Sequence, residues 1–190
     1  LQKMIRTNGR VEFDEKRLAT ISPKIGGWIE ELYVDFTGAP VKKGAPLLTL
    51  YSPELVSTQE EYLAALRARK ELAASPYPEV AASGNALAES ARRRLRLWDI
   101  SEEQIREIEQ TGQVRKSLTL YSPYSGIVLE KMAFKGMRVE PGMALYKLAD
   151  LSVVWLIADI YEYELPLIRL GQEASINLSY RPGEAFTGKA

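Results

Sequence analysis

The sequence predicts a mainly β chain of the α+β class: a flattened β-sandwich interrupted by an α-helical hairpin and followed by part of a further β unit. Three observations carry that prediction. A strand-and-turn pattern occurs twice, around residues 22–50 and 122–148. Between the copies the apolar period shifts from two toward 3.6, and after residue 150 strand-like runs return.

The first copy reads Ser22-Pro23, then Gly27-Trp28-Ile29, then Gly38, Val41, Gly44, Leu47 and Leu50. The second reads Ser122-Pro123, then Gly126-Ile127-Val128, then Gly136, Val139, Gly142, Leu145 and Leu148. From each copy's Gly38 or Gly136 onward the steps of three are kept without a gap. The chemistry is that of turns. Gly38 and Gly44, like Gly136 and Gly142, supply backbone freedom, and Val41 and Val139 sit on a short strand between them. Trp28 to Phe36 and Gly126 to Ala133 read as the flanking strands. Each copy is expected to form a small sheet that cannot bury its apolar face alone, and the two sheets to pack face to face.

Ser52, Pro53 and Glu54 mark the start of a helix: an N-cap, a proline at the first helical position and a carboxylate in the first turn. Leu55, Gln59, Tyr62, Leu66, Arg69 and Ala73 follow at alternating steps of four and three, which makes a seam for a partner helix. Ser75-Pro76-Tyr77-Pro78 ends it, because two prolines remove donors and bias their predecessors out of the helix. A second helix from about Glu79 to Leu97 carries Val80, Leu87, Ala91, Leu95 and Trp98 on its apolar side, with Gly84 a weak point. Ser101-Glu102-Glu103-Gln104 is a capping box that opens a third helix, ending near Gly112. A first helix of about 22 residues projects some 33 Å at 1.5 Å per residue.

Beyond Leu148, Val153 to Ile160 and Glu173 to Tyr180 read as strands about a short helix at Glu162 to Arg169. Gly183 to Ala190 reads as a turn into a strand that is cut off. Leu1 to Phe13 is expected to supply a further strand, since a lone hairpin is marginal. The expected domains are thus 1–17 with 150–190, 18–52 with 118–149, and 53–117.

Composition limits the chemistry. The 190 residues hold 25 basic and 25 acidic side chains and neither His nor Cys. Zero net charge lacks the electrostatic footprint of nucleic-acid binding, so no nucleic-acid partner is expected. Without His or Cys there is no Ser-His or Cys-His pair and no ordinary imidazole or thiolate metal site. No apolar run approaches the roughly 20 residues of a membrane span. The chain starts at Leu1, so a trimmed or mature fragment is expected, and the lack of cysteine fits the periplasm and the cytosol equally.

Met132, Met137 and Met143 are candidates for a thioether site for Cu(I) or Ag(I), set against their reading as adaptable core filler, which is preferred; no metal site and no cofactor is expected in these residues. Arg92, Arg93, Arg94 and Arg96 offer an anion site, set against a solvated helix face paired with Glu89, which is preferred. Glu102-Glu103 and Glu162 with Glu164 have no nucleophile or oxyanion donors beside them, so no enzyme is expected. Tyr77, between Pro76 and Pro78, is an aromatic on a rigid turn, and Ser75 to Pro78 within the tract from Ala74 to Glu79 is the candidate partner contact, set against an ordinary polar turn with Tyr77 folded back over the helices.

The interrupted repeat resembles the split biotinyl/lipoyl-like sandwich of the periplasmic adaptor, or membrane fusion, proteins of bacterial efflux pumps, a HlyD-like family. The residues that carry this are Gly27 to Val34, Thr37-Gly38, Val41 to Gly44 and Tyr51-Ser52-Pro53-Glu54-Leu55. In the second copy they are Ser122-Pro123, Gly126 to Val128, Val139 to Gly142 and Ala149 to Ser152. Tyr51 to Leu55 and the bend Leu95 to Ser101 resemble the copper/silver (CusB-type) heavy-metal branch. Val154-Trp155 through Pro182-Gly183 is similar to the family's β-barrel domain.

The resemblance implies a periplasmic, inner-membrane-associated adaptor. It would bridge a resistance-nodulation-division (RND) transporter to a TolC-type outer-membrane channel, self-associate in the assembled pump, and point its hairpin at the channel. The Arg, Leu and Ser signature of the multidrug branch is absent around Ser75 to Pro78, and the metal-binding methionines of copper/silver adaptors belong to an N-terminal segment that is not expected among these residues, which leaves only Met4 near that end. A metal-binding carrier that delivers ions to the pump is the alternative. A biotin or lipoyl carrier is a further one, although the helical insert replaces the lysine-bearing turn of those carriers.

Overall fold

The computed structural model describes residues 4–73 and 75–190. The chain forms two compact units, one of Phe13–Val153 and one of the residues up to Glu12 with Val154–Ala190. In chain order the first strands are β1 (Gly9–Phe13), β2 (Leu18–Ile21), β3 (Gly27–Leu32), β4 (Pro40–Val41) and β5 (Pro46–Tyr51). Three helices follow: α1 (Pro53–Leu72), α2 (Pro78–Leu97) and α3 (Glu102–Thr111). The second copy then gives β6 (Ser117–Tyr121), β7 (Gly126–Lys131), β8 (Arg138–Val139) and β9 (Tyr146–Ala149).

The two sheets of the larger unit run β2-β9-β7-β4 and β6-β5-β3-β8. Each sheet therefore takes two strands from each copy, which corrects the expectation that each copy forms a sheet of its own. The cause is the left-handed turn at the first glycine of each pattern. Gly38 (φ 89°) and Gly136 (φ 79°) turn the chain out of its own sheet and across to the other copy. There the Gly38 N–H donates to Val128 O and the Gly136 N–H to Ile29 O, both at 2.7 Å. Val128 N–H returns a bond to Ala39 O at 3.0 Å and Ile29 N–H to Met137 O at 2.9 Å. The exchange is reciprocal, so the copies are related as by a two-fold axis.

The same symmetry appears in finer detail. β3 is irregular against β5 between Ile29 and Glu31, and β7 against β9 between Val128 and Glu130. A Cβ at Gly27 would collide with the Tyr51 carbonyl, and one at Gly126 would stand 2.6 Å from the Ala149 carbonyl oxygen. Both strands begin where only glycine lets the neighbouring backbone approach.

Between the sheets lie the pattern's apolar residues: Val41, Leu47, Leu50, Val139, Leu145 and Leu148 are all buried. Full burial of each such side chain contributes about 1.5–3 kcal/mol. Trp28 departs from this. It faces outward, 40% exposed, and stacks on Tyr51 with ring centroids 6.1 Å apart, under the Arg138 guanidinium at 5.6 Å. Period-two alternation along β3 sends Ile29 inward and Trp28 out.

The helices follow their signals closely. Ser52 Oγ accepts the Leu55 N–H at 3.3 Å and Pro53 takes the first helical position. Ser101 and Gln104 form the full capping box of α3, and Gly112 ends it at φ 63°. With 20 residues each, α1 and α2 are about 30 Å long. On α1 the seam holds for Leu55, Gln59, Tyr62 and Leu66, whereas Arg69 and Ala73 are exposed.

On α2 the buried face is Gly84, Ala88, Ala91 and Leu95. Val80 and Leu87 are exposed, which corrects their placement on the apolar side. Gly84 is a close-packing point instead of a weak one: a Cβ there would lie 3.2 Å from Arg69 Cα on α1. Small residues every three or four positions let α2 approach α1, and the larger Val80 and Leu87 are left beside that stripe.

In the smaller unit β10 (Val154–Ala158) pairs with β1, and a 3-10 helix spans Glu162–Leu167. β11 (Glu173–Asn177) pairs antiparallel with β12 (Ala185–Lys189), from Glu173 opposite Lys189 to Asn177 opposite Ala185. The last segment is thus a paired strand.

Candidate functional site

The hairpin leaves the sandwich between neighbouring strand ends, Tyr51 of β5 and Ser117 of β6, which are direct partners in the ladder. Its far end is the turn Ser75 to Pro78; Ala74, the first residue of the expected contact tract, lies outside the described residues. Ser75 N–H donates to Leu72 O at 3.0 Å and Tyr77 N–H to Ser75 Oγ at 3.2 Å. Pro78 starts α2, with Tyr77 as its N-cap. Two fixed φ angles and these bonds hold the Tyr77 backbone, while its side chain stands 69% exposed. An aromatic presented in that way brings large contact area at little further loss of side-chain entropy.

The near end of the hairpin is a polar network that sequence reasoning did not anticipate. Arg92 Nη2 donates to Glu102 at 2.8 Å and Arg96 Nε to the same carboxylate at 2.5 Å. Arg94 pairs with Glu61 of α1 at 2.8 Å. The arginines' partners thus lie on α1 and α3, in place of the Glu89 pairing expected along α2. Arg96, then Arg92, holds the Glu102 carboxyl below its ordinary range.

Tyr62 OH donates to Glu109 at 2.5 Å, and burial followed by that bond pushes its phenol well up. Gln59, buried in the α1 seam, donates to Arg115 O and accepts from Arg115 N–H, each at 2.9 Å. The only sequence signal for this clip is an amide among apolar seam positions, and the sequence does not say what the amide meets.

The three methionines all fall in the second copy. Met132 follows β7 and its N–H donates to Leu145 O at 2.9 Å; Met137 precedes β8, partly buried against the core. Met143 lies between β8 and β9 and is exposed. Among the described residues there is no group of three or more Asp or Glu placed to hold a metal ion. Glu102 and Glu103 stand in the first turn of α3, and Glu162 and Glu164 in the 3-10 helix. The motif glycines Gly38, Gly44, Gly136 and Gly142 all have positive φ, between 79° and 89°. Among the described residues no helix is long and apolar enough to cross a membrane.

The family model "CusB, barrel-sandwich hybrid domain" matches residues 18–149, the stretch that holds both sheets and the hairpin. The chain is 28% identical over 177 residues to the cation efflux system protein CusB of Escherichia coli O6:H1, covering 93% of this chain and 40% of that protein. It is 28% identical over 191 residues to the cobalt-zinc-cadmium resistance protein CzcB of Cupriavidus metallidurans, covering 93% of this chain and 36% of that one. The chain thus spans about two fifths of the length of these relatives.

Among solved structures, a MacA-MexA chimeric protein containing the Pseudomonas aeruginosa MexA α-hairpin domain shares the fold. The TM-score is 0.62 at 20% identity, with 96% of this chain and 65% of that chain covered. The match across both sheets and the insert between them, together with the reciprocal strand exchange, places the chain in a family: it belongs to the CusB-type barrel-sandwich hybrid domains of membrane fusion proteins.

Proposed function

We propose that this chain is the sandwich-and-hairpin section of a periplasmic adaptor in a heavy-metal efflux pump. In this reading the whole protein is associated with the inner membrane and joins an RND transporter to a TolC-type outer-membrane channel. It self-associates within the assembled pump and acts by assembly, without turnover or cofactor. The observation that carries the reading is the hairpin: two helices about 30 Å long, rooted in the sandwich and ending in a rigid turn that presents Tyr77 to solvent. Family membership supports the adaptor role. Copper or silver is the proposed cargo, on the strength of the CusB-type match, with zinc, cobalt or cadmium the competing set raised by the likeness to CzcB.

A photo-crosslinking residue at position 77 in cells tests the contact. Adducts to an outer-membrane channel support it; adducts confined to the adaptor, with full metal resistance in Tyr77→Ala, overturn it. Growth of a deletion strain complemented with the full-length gene, on copper and silver against zinc, cobalt and cadmium, separates the cargoes. The rival carrier reading rests on the three methionines around β8, with Met143 exposed. Calorimetry with Cu(I) and Ag(I) is expected to show no binding by residues 1–190. Tight binding that Met132→Leu, Met137→Leu and Met143→Leu together abolish would favour the carrier.

A further inference from the structure

A hairpin rooted at two adjacent strand ends is held along one line only. Rotation about that line is opposed by nothing in the roots themselves, so a fixed direction needs a third tie away from the line. The structure places α3 where such a tie is required.

We propose that α3 is a strut that fixes the direction in which the α1–α2 hairpin leaves the sandwich. Both ends of α3 are bonded to the long helices. Near its N-terminus Glu102 takes Arg92 and Arg96 of α2; near its C-terminus Glu109 takes the Tyr62 hydroxyl of α1. Arg92 Nε is buried without a hydrogen-bond partner, 3.9 Å from Glu109, so this guanidinium spans the two carboxylates.

Both ends of α3 are also tied to the sandwich. At the α2–α3 corner Asp99 adopts φ 62° and accepts a bond from Lys24 Nζ, in the β2–β3 connection, at 2.7 Å. After α3, Arg115 is clipped to Gln59 and Lys116 bonds Glu30 of β3 at 2.7 Å. Beneath these bonds Ile105 joins Leu55, Tyr62, Leu95 and Ile100 in one apolar core continuous with the sandwich.

The distal half of the hairpin is built differently. Among the described residues no ion pair or side-chain hydrogen bond joins α1 to α2 between Ala88 and the tip; the helices meet there through close packing at Gly84. The base is thus cross-linked to the sheets, and the arm beyond it is carried by the base. This inference stands on the geometry of the base and holds whatever the tip touches.

The chain has no cysteine, so spin labels at Glu79→Cys on α2 and Lys42→Cys in the β4–β5 turn are unique. Pulsed electron resonance on this chain should give a single narrow distance distribution. Glu102→Gln with Glu109→Gln should widen it at least twofold with helix content unchanged by circular dichroism. Arg106→Gln, which loses contacts only within α3, its pair with Glu103 and its bond to the Glu102 carbonyl, should leave it as it was. An unchanged width in the double variant overturns the strut. Should the double variant lose helix signal, Tyr62→Phe with Lys24→Gln, which leave the sequence of α3 intact, decide by the same criterion.

Discussion

Gln59→Leu tests how the return segment is held to the hairpin. The wild-type amide makes two bonds to the Arg115 backbone and one to Leu55 O at 3.2 Å, all with the side chain 1% exposed. Leucine matches its volume and bonds to nothing. Leu55 O keeps its helical partner, but Arg115 N–H and C=O lose theirs at a part-buried site. An unsatisfied buried polar group costs about 1–3 kcal/mol, and two part-buried ones fall at the low end, about 2–3 kcal/mol together. The more apolar side chain returns about 1 kcal/mol.

The expected net loss is therefore about 1–2 kcal/mol, read as a lower urea midpoint at unchanged m-value. Gln59→Glu adds a diagnostic. At neutral pH a carboxylate would face the Arg115 carbonyl and could not donate to it, so that variant should fall further. Its folded-state pKa would be raised, so the missing stability should return as the pH is lowered toward 5. A Gln59→Leu variant within 0.5 kcal/mol of wild type would refute the reasoning.

Gly126→Ala should cost at or above the top of the about 1–3 kcal/mol range for overpacking, because its Cβ meets the Ala149 backbone. Gly142→Ala, with open space but φ 82°, should cost only about 1–2 kcal/mol, and equal urea midpoints for the two would be evidence against the close strand approach. Burial pushes the Tyr146 phenol up to about 12, and its hydroxyl donates to Val34 O at 2.8 Å. That contribution is whole below pH about 10 and is lost as the pH rises toward 12, so Tyr146→Phe should remove one late tyrosinate absorbance, which develops ahead of that of the still more strongly shifted Tyr62 in an alkaline titration. Replacing Ser52 to Lys116 by Asn-Gly joins Tyr51 directly to its partner Ser117 in a two-residue hairpin. A folded β protein of reduced stability is expected, since the helix residues of the shared core are lost; a random-coil spectrum would contradict this.

The turns and helix ends were legible in the sequence because each is decided within a few residues. Gly38, Gly44, Gly136 and Gly142 announce left-handed turns, Ser52-Pro53 and Ser101 to Gln104 announce helix starts, and Gly112 a stop, all by local backbone chemistry. The spacing of Val41, Leu47 and Leu50, repeated in the second copy, marked the inward face for the same reason. The tip was legible as Pro76-Tyr77-Pro78, but the exposure of its aromatic was not, because the same residues fit a Tyr77 folded back over the helices.

What the tertiary structure decided was pairing between distant segments. That β4 crosses to β7 and β8 to β3 depends on which copy's edge a two-residue strand meets, and two equivalent copies offer the same local pattern to either choice. The face of α2 was settled by how near α1 can come, so Gly84 and Ala88 won over Val80 and Leu87. The partners of Arg92, Arg96, Tyr62 and Gln59 lie 10, 6, 47 and 56 residues away along the chain. A long polar side chain reaches whatever the packing of helices and sheets sets beside it, and its own sequence neighbourhood does not contain that information.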